Sequence, residues 1–370
     1  MSGLGRVVVG LSGGIDSSVA VLLLREMGYE PVGLTLRLQA CNVDSGSRRS
    51  CCGPDSAAAA RAVAQQMKIR HYVLDCHEIF DQRVLRPSWD DFSSGRTPNP
   101  CVLCNAVVRF DKLVEFADDL GAVAVATGHY ARLEKKSDGG VRLLRGRDPR
   151  KDQSYFLHAI PPHLLARVIF PLGEMTKDEV RELARANGLK SAERPESQDV
   201  CFAGPEGHFA EYLRQYFAHK AKAGEIRTPK GKVVGQHEGV HRFTIGQRRG
   251  LGVALGKPAR VSAIDPRSGE VIVTTEAGDL LRDVCTASDC RWIGEAPEVG
   301  EELQAQIRYQ QQARQVQVEL VADAGTRVKA RFAEPVSAVT PGQWLVLYRG
   351  DEVVGGGIIG SETKETEMSE

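Results

Sequence analysis

Residues Ser12-Gly13-Gly14-Ile15-Asp16-Ser17-Ser18 separate two apolar runs. The first, Val7-Val8-Val9, reads as a buried strand, and the second, Val19-Ala20-Val21-Leu22-Leu23-Leu24, reads as a helix stopped at Gly28. Strand, glycine turn and helix start together turn backbone N–H groups and a helix N-terminus toward a bound anion. Two glycines remove the Cβ atoms that would hold a phosphate away. Ser12, Ser17 and Ser18 add hydroxyl donors. No lysine follows the glycines, so this is not the loop that cradles phosphates in P-loop NTPases. The plain alternative is a βα turn with Asp16 or Ser17 as the helix N-cap.

Strand and helix signals alternate from here to about residue 130. Val32 to Leu36 and His71 to Asp75 read as strands, with an alanine-rich helix from Asp55 to Met67 between them. A helix from about Ala106 to Leu120 then leads into the strand Ala122 to Ala126. Alternation with near-continuous apolar strands predicts a doubly wound α/β parallel sheet covered on both faces. Ligands on such sheets sit beyond the carboxyl ends of the strands, where both Ser12–Ser18 and Thr127-Gly128-His129 fall. Thr176-Lys177-Asp178-Glu179 is a capping box that opens a further helix closed by Gly188.

After about residue 205 the character changes. A helix around His208–His219 precedes glycine- and Lys/Arg-rich sequence with short strand signals. From about residue 277, Leu303, Ala305 and Ile307 alternate with Gln304, Gln306 and Arg308, and Val316, Val318 and Leu320 alternate likewise. Such short, regularly spaced strands predict a small β-barrel or sandwich. The expected division is 1–205, an α/β domain; 206–276, a small mixed module; 277–362, an all-β barrel; and 363–370, an acidic tail expected to be disordered.

Formal net charge is zero, so any nucleic-acid surface must be local. Lys220 to Arg260 supplies one: ten Lys/Arg against Glu225 and Glu238. Arg145, Arg147, Arg150 and Lys151 form a second basic cluster. Nine cysteines, with no room for a signal peptide before the first strand and no membrane-length apolar run, lead us to expect a cytoplasmic protein with reduced thiols and no membrane partner. Cys101-Val102-Leu103-Cys104 follows Thr97-Pro98-Asn99-Pro100 at an expected helix start, where the dipole favours thiolates. A third cysteine, Cys201, stands far along the chain before Phe202. Cys41, Cys51 and Cys52 lie in a polar stretch read as a surface loop, and Cys76, Cys285 and Cys290 read as core or strand residues.

The opening motif is similar to the S-G-G-x-D-S pyrophosphate loop of enzymes that split ATP between its α and β phosphates. Taken with Gly95 to Pro100, Cys104-Asn105, Ala126 to Tyr130, Lys151 to Phe156, Cys201-Phe202, His241 to Arg248, Arg308-Tyr309 and Thr340 to Gln343, the chain resembles the tRNA-specific 2-thiouridylases. The resemblance implies ATP-dependent thiolation of C2 of a wobble uridine, in lysine, glutamate and glutamine tRNAs, with Mg²⁺ assisting the departure of pyrophosphate. It implies ATP contacts from Gly10, Leu11, Ser12, Gly13, Gly14, Ile15, Asp16, Ser17, Leu36 and Gly128. It puts Asn99, Pro100 and Cys101 at the target base, and His129, Lys151, Asp152, Gln153, Arg308, Tyr309 and Gln343 at the tRNA. Cys201 would carry sulfur as a persulfide, delivered by a donor such as a cysteine desulfurase or a sulfur carrier. Cys104 would be its nucleophilic partner, leaving a Cys104–Cys201 disulfide.

One position departs from the family. Some relatives carry aspartate where this chain has Cys101, so an acid–base role there is in doubt. The change creates a three-thiol set, Cys101, Cys104 and Cys201, able to hold a [4Fe–4S] cluster by three irons. Persulfide relay and cluster-bound sulfide therefore stand as equal expectations. Two other functions fit parts of the chain. A pyrophosphate-loop ligase acting on a small metabolite explains the loop but neither the distant cysteines nor the basic stretch. A non-catalytic RNA-binding protein explains the basic stretch and leaves the cysteines idle.

Overall fold

The computed structural model describes residues 3–39, 54–137, 139–193 and 209–360. Contacts divide the chain into two compact units, one of residues 1–86, 100–212 and 351–353, the other of residues 87–99, 213–350 and 354–370. Cys41, Cys51, Cys52, Cys201 and the acidic tail lie outside the described residues.

The first unit is built on five parallel strands, β1 (Arg6–Gly10), β2 (Glu30–Arg37), β3 (His71–Asp75), β4 (Ala124–Ala126) and β5 (Val168–Ile169), in the order β3-β2-β1-β4-β5. Val8 pairs with Val32 on one side and Val125 on the other. Val7, Val8 and Val9 are fully buried, each worth about 1.5–3 kcal/mol relative to exposure. Helices α1 (Ile15–Glu26), α2 (Pro54–Gln66) and α4 (Lys177–Ala186) share one apolar cluster with Val7 and Val9. Helix α3 (Phe110–Asp119) packs against β1 and β4. The chain winds outward from β1 through β2 to β3 and then crosses to β4 on the other side of β1. That reversal opens a crevice at the carboxyl ends of β1 and β4, the place where such sheets bind ligands.

The expected boundaries move in one informative place. Helical structure begins not near Ala106 but at Pro100, runs as α-helix through Cys104, makes a π turn over Asn105–Arg109 and continues as α3.

The second unit contains two sheets. Four strands, Arg260–Asp265, Glu270–Thr274, Gly224–Arg227 and Val233–His237, lie side by side in that order around Val261, Val271, Val273 and Phe243. Six antiparallel strands form a barrel, closed where Leu281–Trp292 pairs with Glu352–Ile359. Leu303, Ala305, Ile307, Val316 and Val318 fill the barrel as their alternation predicts. Leu320 does not: a register shift between Val318 and Leu320 turns it outward, 39% exposed. Gln306 is buried instead of facing water, and its amide accepts from the Tyr348 hydroxyl and donates to the Arg308 carbonyl. Among the described residues no helix is long and apolar enough to cross a membrane.

Candidate active site

A pocket occupies the crevice beyond β1 and β4. Gly10, Leu11 and Ser12 line it from β1, Asp16 and Ser17 from the first turn of α1, and Leu36 from β2. Thr127, Gly128 and His129 close it from β4, with Gln153 and Arg109. The β1–α1 loop is shaped by close backbone packing. Gly13 has φ +75°, and a Cβ there would fall 2.5 Å from the Ala59 Cβ and 2.6 Å from the Ala60 nitrogen. A Cβ on Gly128 would fall 2.7 Å from the Asp16 carbonyl carbon and 2.8 Å from the Ser17 nitrogen. Gly14 is the N-cap of α1 without a side-chain cap, and Ile15 points into the core. Gly13, Gly14 and Ile15 thus shape the loop, while the other sequence-predicted nucleotide residues line the pocket.

The serines differ from expectation. Ser18 is buried and its hydroxyl donates to the Gly14 carbonyl at 2.8 Å. Ser17 donates to the same carbonyl, and Ser12 and Ser17 hydroxyls lie 3.2 Å apart. These hydroxyls brace the loop internally, which leaves anion binding chiefly to the open N–H groups of the first helical turn. Asp16 and Ser17 make no N-cap either. The Asp16 carboxylate receives the Lys177 ammonium at 2.6 and 2.9 Å and the Tyr130 hydroxyl at 2.7 Å. Lys177 is the first residue of α4 and is only 3% exposed. It is set there by the Thr176–Glu179 capping box, in which the Thr176 hydroxyl accepts from the Glu179 N–H and the Glu179 carboxylate accepts from the Thr176 N–H.

Cys101 and Cys104 lie in the first turn of the helix beginning at Pro100, Cys104 buried and Cys101 half-buried. The expectation of thiolates favoured by the dipole is overturned. Burial pushes the Cys101 thiol up to about 11 and raises that of Cys104 as well, against the lowering influence of the nearby Arg109. His129, on the pocket wall with its Nδ1 2.8 Å from the Thr127 hydroxyl, is pushed down to about 3 by burial and by Arg109, so it is neutral at ordinary pH. Among the described residues no group of three or more His, Cys, Asp or Glu side chains could hold a metal ion. The three-thiol cluster set includes Cys201 and so lies partly outside them.

Residues 5–205 match the tRNA methyl transferase HUP domain, 210–275 the tRNA methyl transferase PRC-barrel domain, and 282–359 the aminomethyltransferase beta-barrel domain. The chain is 44% identical to the tRNA-specific 2-thiouridylase MnmA of Sorangium cellulosum, over 96% of this chain and 92% of that protein. It is 43% identical to the protein of the same name from Carboxydothermus hydrogenoformans, over 96% and 97% of the two chains. The Geobacter metallireducens protein is also 43% identical, over 97% and 98%. The chain belongs to the tRNA-specific 2-thiouridylase family. The remaining sequence-predicted residues can be placed against that family.

Of the residues that 2-thiouridylase resemblance assigned to tRNA, several are engaged within their own unit. Asp152 pairs with Arg145 at 3.1 Å and accepts from the Gly146 and Ser154 N–H groups and the Ser154 hydroxyl. The Gln153 side-chain oxygen accepts from the Tyr130 N–H, and Gln153 and His129 both line the nucleotide pocket. In the second unit, Arg308 donates to the Ala338 carbonyl and the Thr340 hydroxyl. Gln343 donates to the Thr97 and Pro98 carbonyls at 2.8 and 3.3 Å, fixing the stretch that leads to Asn99. Lys151 and Tyr309 are half-buried. Asn99 clusters with the second unit, Pro100 and Cys101 with the first.

The basic clusters also divide. In the Arg145–Lys151 cluster, Arg145, Arg147 and Arg150 pair with Asp152, Glu179 and Asp148, so that cluster is largely neutralised. In the Lys220–Arg260 stretch, Arg227 and Arg242 pair with Glu225 and Glu238, while Arg248 and Arg249 are exposed. Lys177, Tyr130 and Arg109 were not singled out from sequence as site residues. The capping box around Lys177 was the one signal that could have drawn attention to it.

Proposed function

We propose that the protein uses ATP to adenylate the C2 oxygen of the wobble uridine in tRNA and replaces it with sulfur, forming 2-thiouridine and releasing AMP and pyrophosphate. Full-length identity of 42–44% to 2-thiouridylases carries this reading. The pocket at the β1/β4 reversal supports its first half. A uridine oxygen is a poor leaving group, and adenylation converts it into AMP. Asp16 and Ser17 of the first turn of α1 line the pocket, and the free N–H groups of that helix start stabilise charge on the departing pyrophosphate. Asp16 is the one carboxylate among the described lining residues, and its Oδ2 accepts a single hydrogen bond, from Lys177. That donor set suits a Mg²⁺ ion shared with phosphates, which would supply charge neutralisation.

In the second half, the terminal sulfur of a Cys201 persulfide attacks C2 and AMP leaves with the oxygen. Cys104 then gives up its thiol proton and attacks the Cys201 sulfur. The S–S bond breaks toward the base, giving the thiocarbonyl and a Cys104–Cys201 disulfide, which a thiol reductant reopens. Residues 1–205 carry both steps in this reading, while 206–276 and the barrel receive tRNA. The donor is a persulfide-bearing protein, and lysine, glutamate and glutamine tRNAs are the acceptors.

The test incubates the protein with ATP, a persulfide donor and unmodified tRNA, and follows 2-thiouridine by nucleoside mass spectrometry alongside AMP. Thiolation lost in Cys201→Ala is the expected result. AMP formed without tRNA would favour a small-metabolite ligase, and neither product would favour a binding protein. Iron and sulfide assays on anaerobically purified protein decide between the relay and a [4Fe–4S] cluster on Cys101, Cys104 and Cys201: colourless, iron-free, fully active protein excludes the cluster.

A further inference from the structure

Arg109 stands in two places at once. It lines the nucleotide pocket, and its guanidinium lies near enough to Cys104 to favour that residue's thiolate. The π turn explains how. On a regular α-helix, residues five apart are rotated by about 140° from one another. A π turn closes i to i+5, so Cys104 and Arg109, which flank and end the turn at Asn105–Arg109, come onto one face.

Charge in the pocket makes this placement consequential. Among the described lining residues Arg109 is the sole permanent cation, since His129 is neutral and Lys177 sits behind the Asp16 carboxylate. A polyanionic triphosphate therefore meets N–H groups at the loop and one guanidinium in the pocket lining. In the adenylated intermediate, the α-phosphorus is joined to C2 through a single oxygen. Cys104 attacks the Cys201 sulfur, which is one bond from the sulfur joined to that same C2. A cation beside Cys104 that also lines the nucleotide pocket lies on the side where the α-phosphoryl group comes, whereas the loop takes the outgoing pyrophosphate.

We propose that Arg109 is the α-phosphate ligand of this site, gripping the phosphoryl group that becomes AMP during both adenylation and sulfur transfer. This rests on the adenylation reading above. The guanidinium offers paired donors to two phosphoryl oxygens. It balances charge that builds on the α-phosphoryl group as pyrophosphate leaves, and again on AMP as it departs from C2.

The experiment measures adenosine, AMP and ATP in competition with a fluorescent ATP analogue, for the wild-type protein, Arg109→Met and Arg109→Lys. In Arg109→Met the affinity gained from adenosine to AMP should fall about tenfold, the worth of one charge-assisted contact. Adenosine affinity and the further gain from AMP to ATP should stay unchanged, and Arg109→Lys should recover part of the loss. Equal weakening of adenosine and AMP would overturn the proposal in favour of a structural role. Loss confined to the AMP-to-ATP step would overturn it in favour of the outer phosphates. Wild-type protein that binds none of the three ligands would refute nucleotide binding itself, and unchanged affinities in Arg109→Met would refute this inference alone. If Arg109→Met does not fold, Arg109→Gln carries the same comparison.

Discussion

The Lys177 ammonium meets both carboxylate oxygens of Asp16, at 2.6 and 2.9 Å, across 161 residues of chain. The pair ties the first turn of α1 to the first turn of α4, and the Tyr130 hydroxyl completes it. Lys177→Met leaves the Asp16 charge without its cation. The expected cost is about 2 kcal/mol in urea unfolding, less than the roughly 3–5 kcal/mol of a fully buried pair because Asp16 is 34% exposed. Since Asp16 lines the pocket, ATP affinity should fall as well. The double variant Asp16→Asn/Lys177→Met should be less destabilised than the sum of the singles.

Gly128→Ala tests the close approach of β4 to the loop. The new Cβ would press on the Asp16 carbonyl carbon and the Ser17 nitrogen, backbone atoms with no rotamer to escape into. Calorimetry should show ATP binding weakened about tenfold or more, with stability lowered by about 1–3 kcal/mol.

Gln343→Ala removes two hydrogen bonds, to the Thr97 and Pro98 carbonyls, worth about 1 kcal/mol each. ATP affinity should be unchanged. The rate of tRNA thiolation at low tRNA should fall about tenfold, because the segment leading to Asn99 is no longer fixed. Equal loss of ATP binding would place Gln343 in a different role.

His129 gives the acid limb of stability a definite sign. Its pKa in the folded protein is depressed to about 3, from an unfolded value near 6.5. Below about pH 6.5 the unfolded chain binds a proton that the folded chain refuses, so stability falls as pH drops toward 3. Urea midpoints measured from pH 7.5 to 4.5 should decline less steeply in His129→Asn than in the wild-type protein.

Much of the parallel sheet and its loop was legible because each local signal agreed with its neighbours. The fully apolar Val7–Val9, the two glycines and the capping box at Thr176 each specify their element without help from distant residues. The apolar periodicity puts the helix start near Ala106, whereas the helix begins at Pro100, because proline is readily accepted in the first turn of a helix. The π turn has no periodic signature in so short a stretch. Leu320 keeps perfect alternation in sequence and loses it to a bulge. The ion pair of Asp16 with Lys177 depends on the packing of α1 against α4. No local pattern encodes it.

That ion pair also orders events during synthesis. The loop at Ser12–Ser18 leaves the ribosome well before Lys177, which follows Asp16 by 161 residues. Closing a contact of such long range is entropically costly and slow compared with forming α1 itself. The nascent chain thus carries an early helix whose first turn stays unanchored. Competence to bind nucleotide arrives late, as a checkpoint that only a chain grown past α4 can pass.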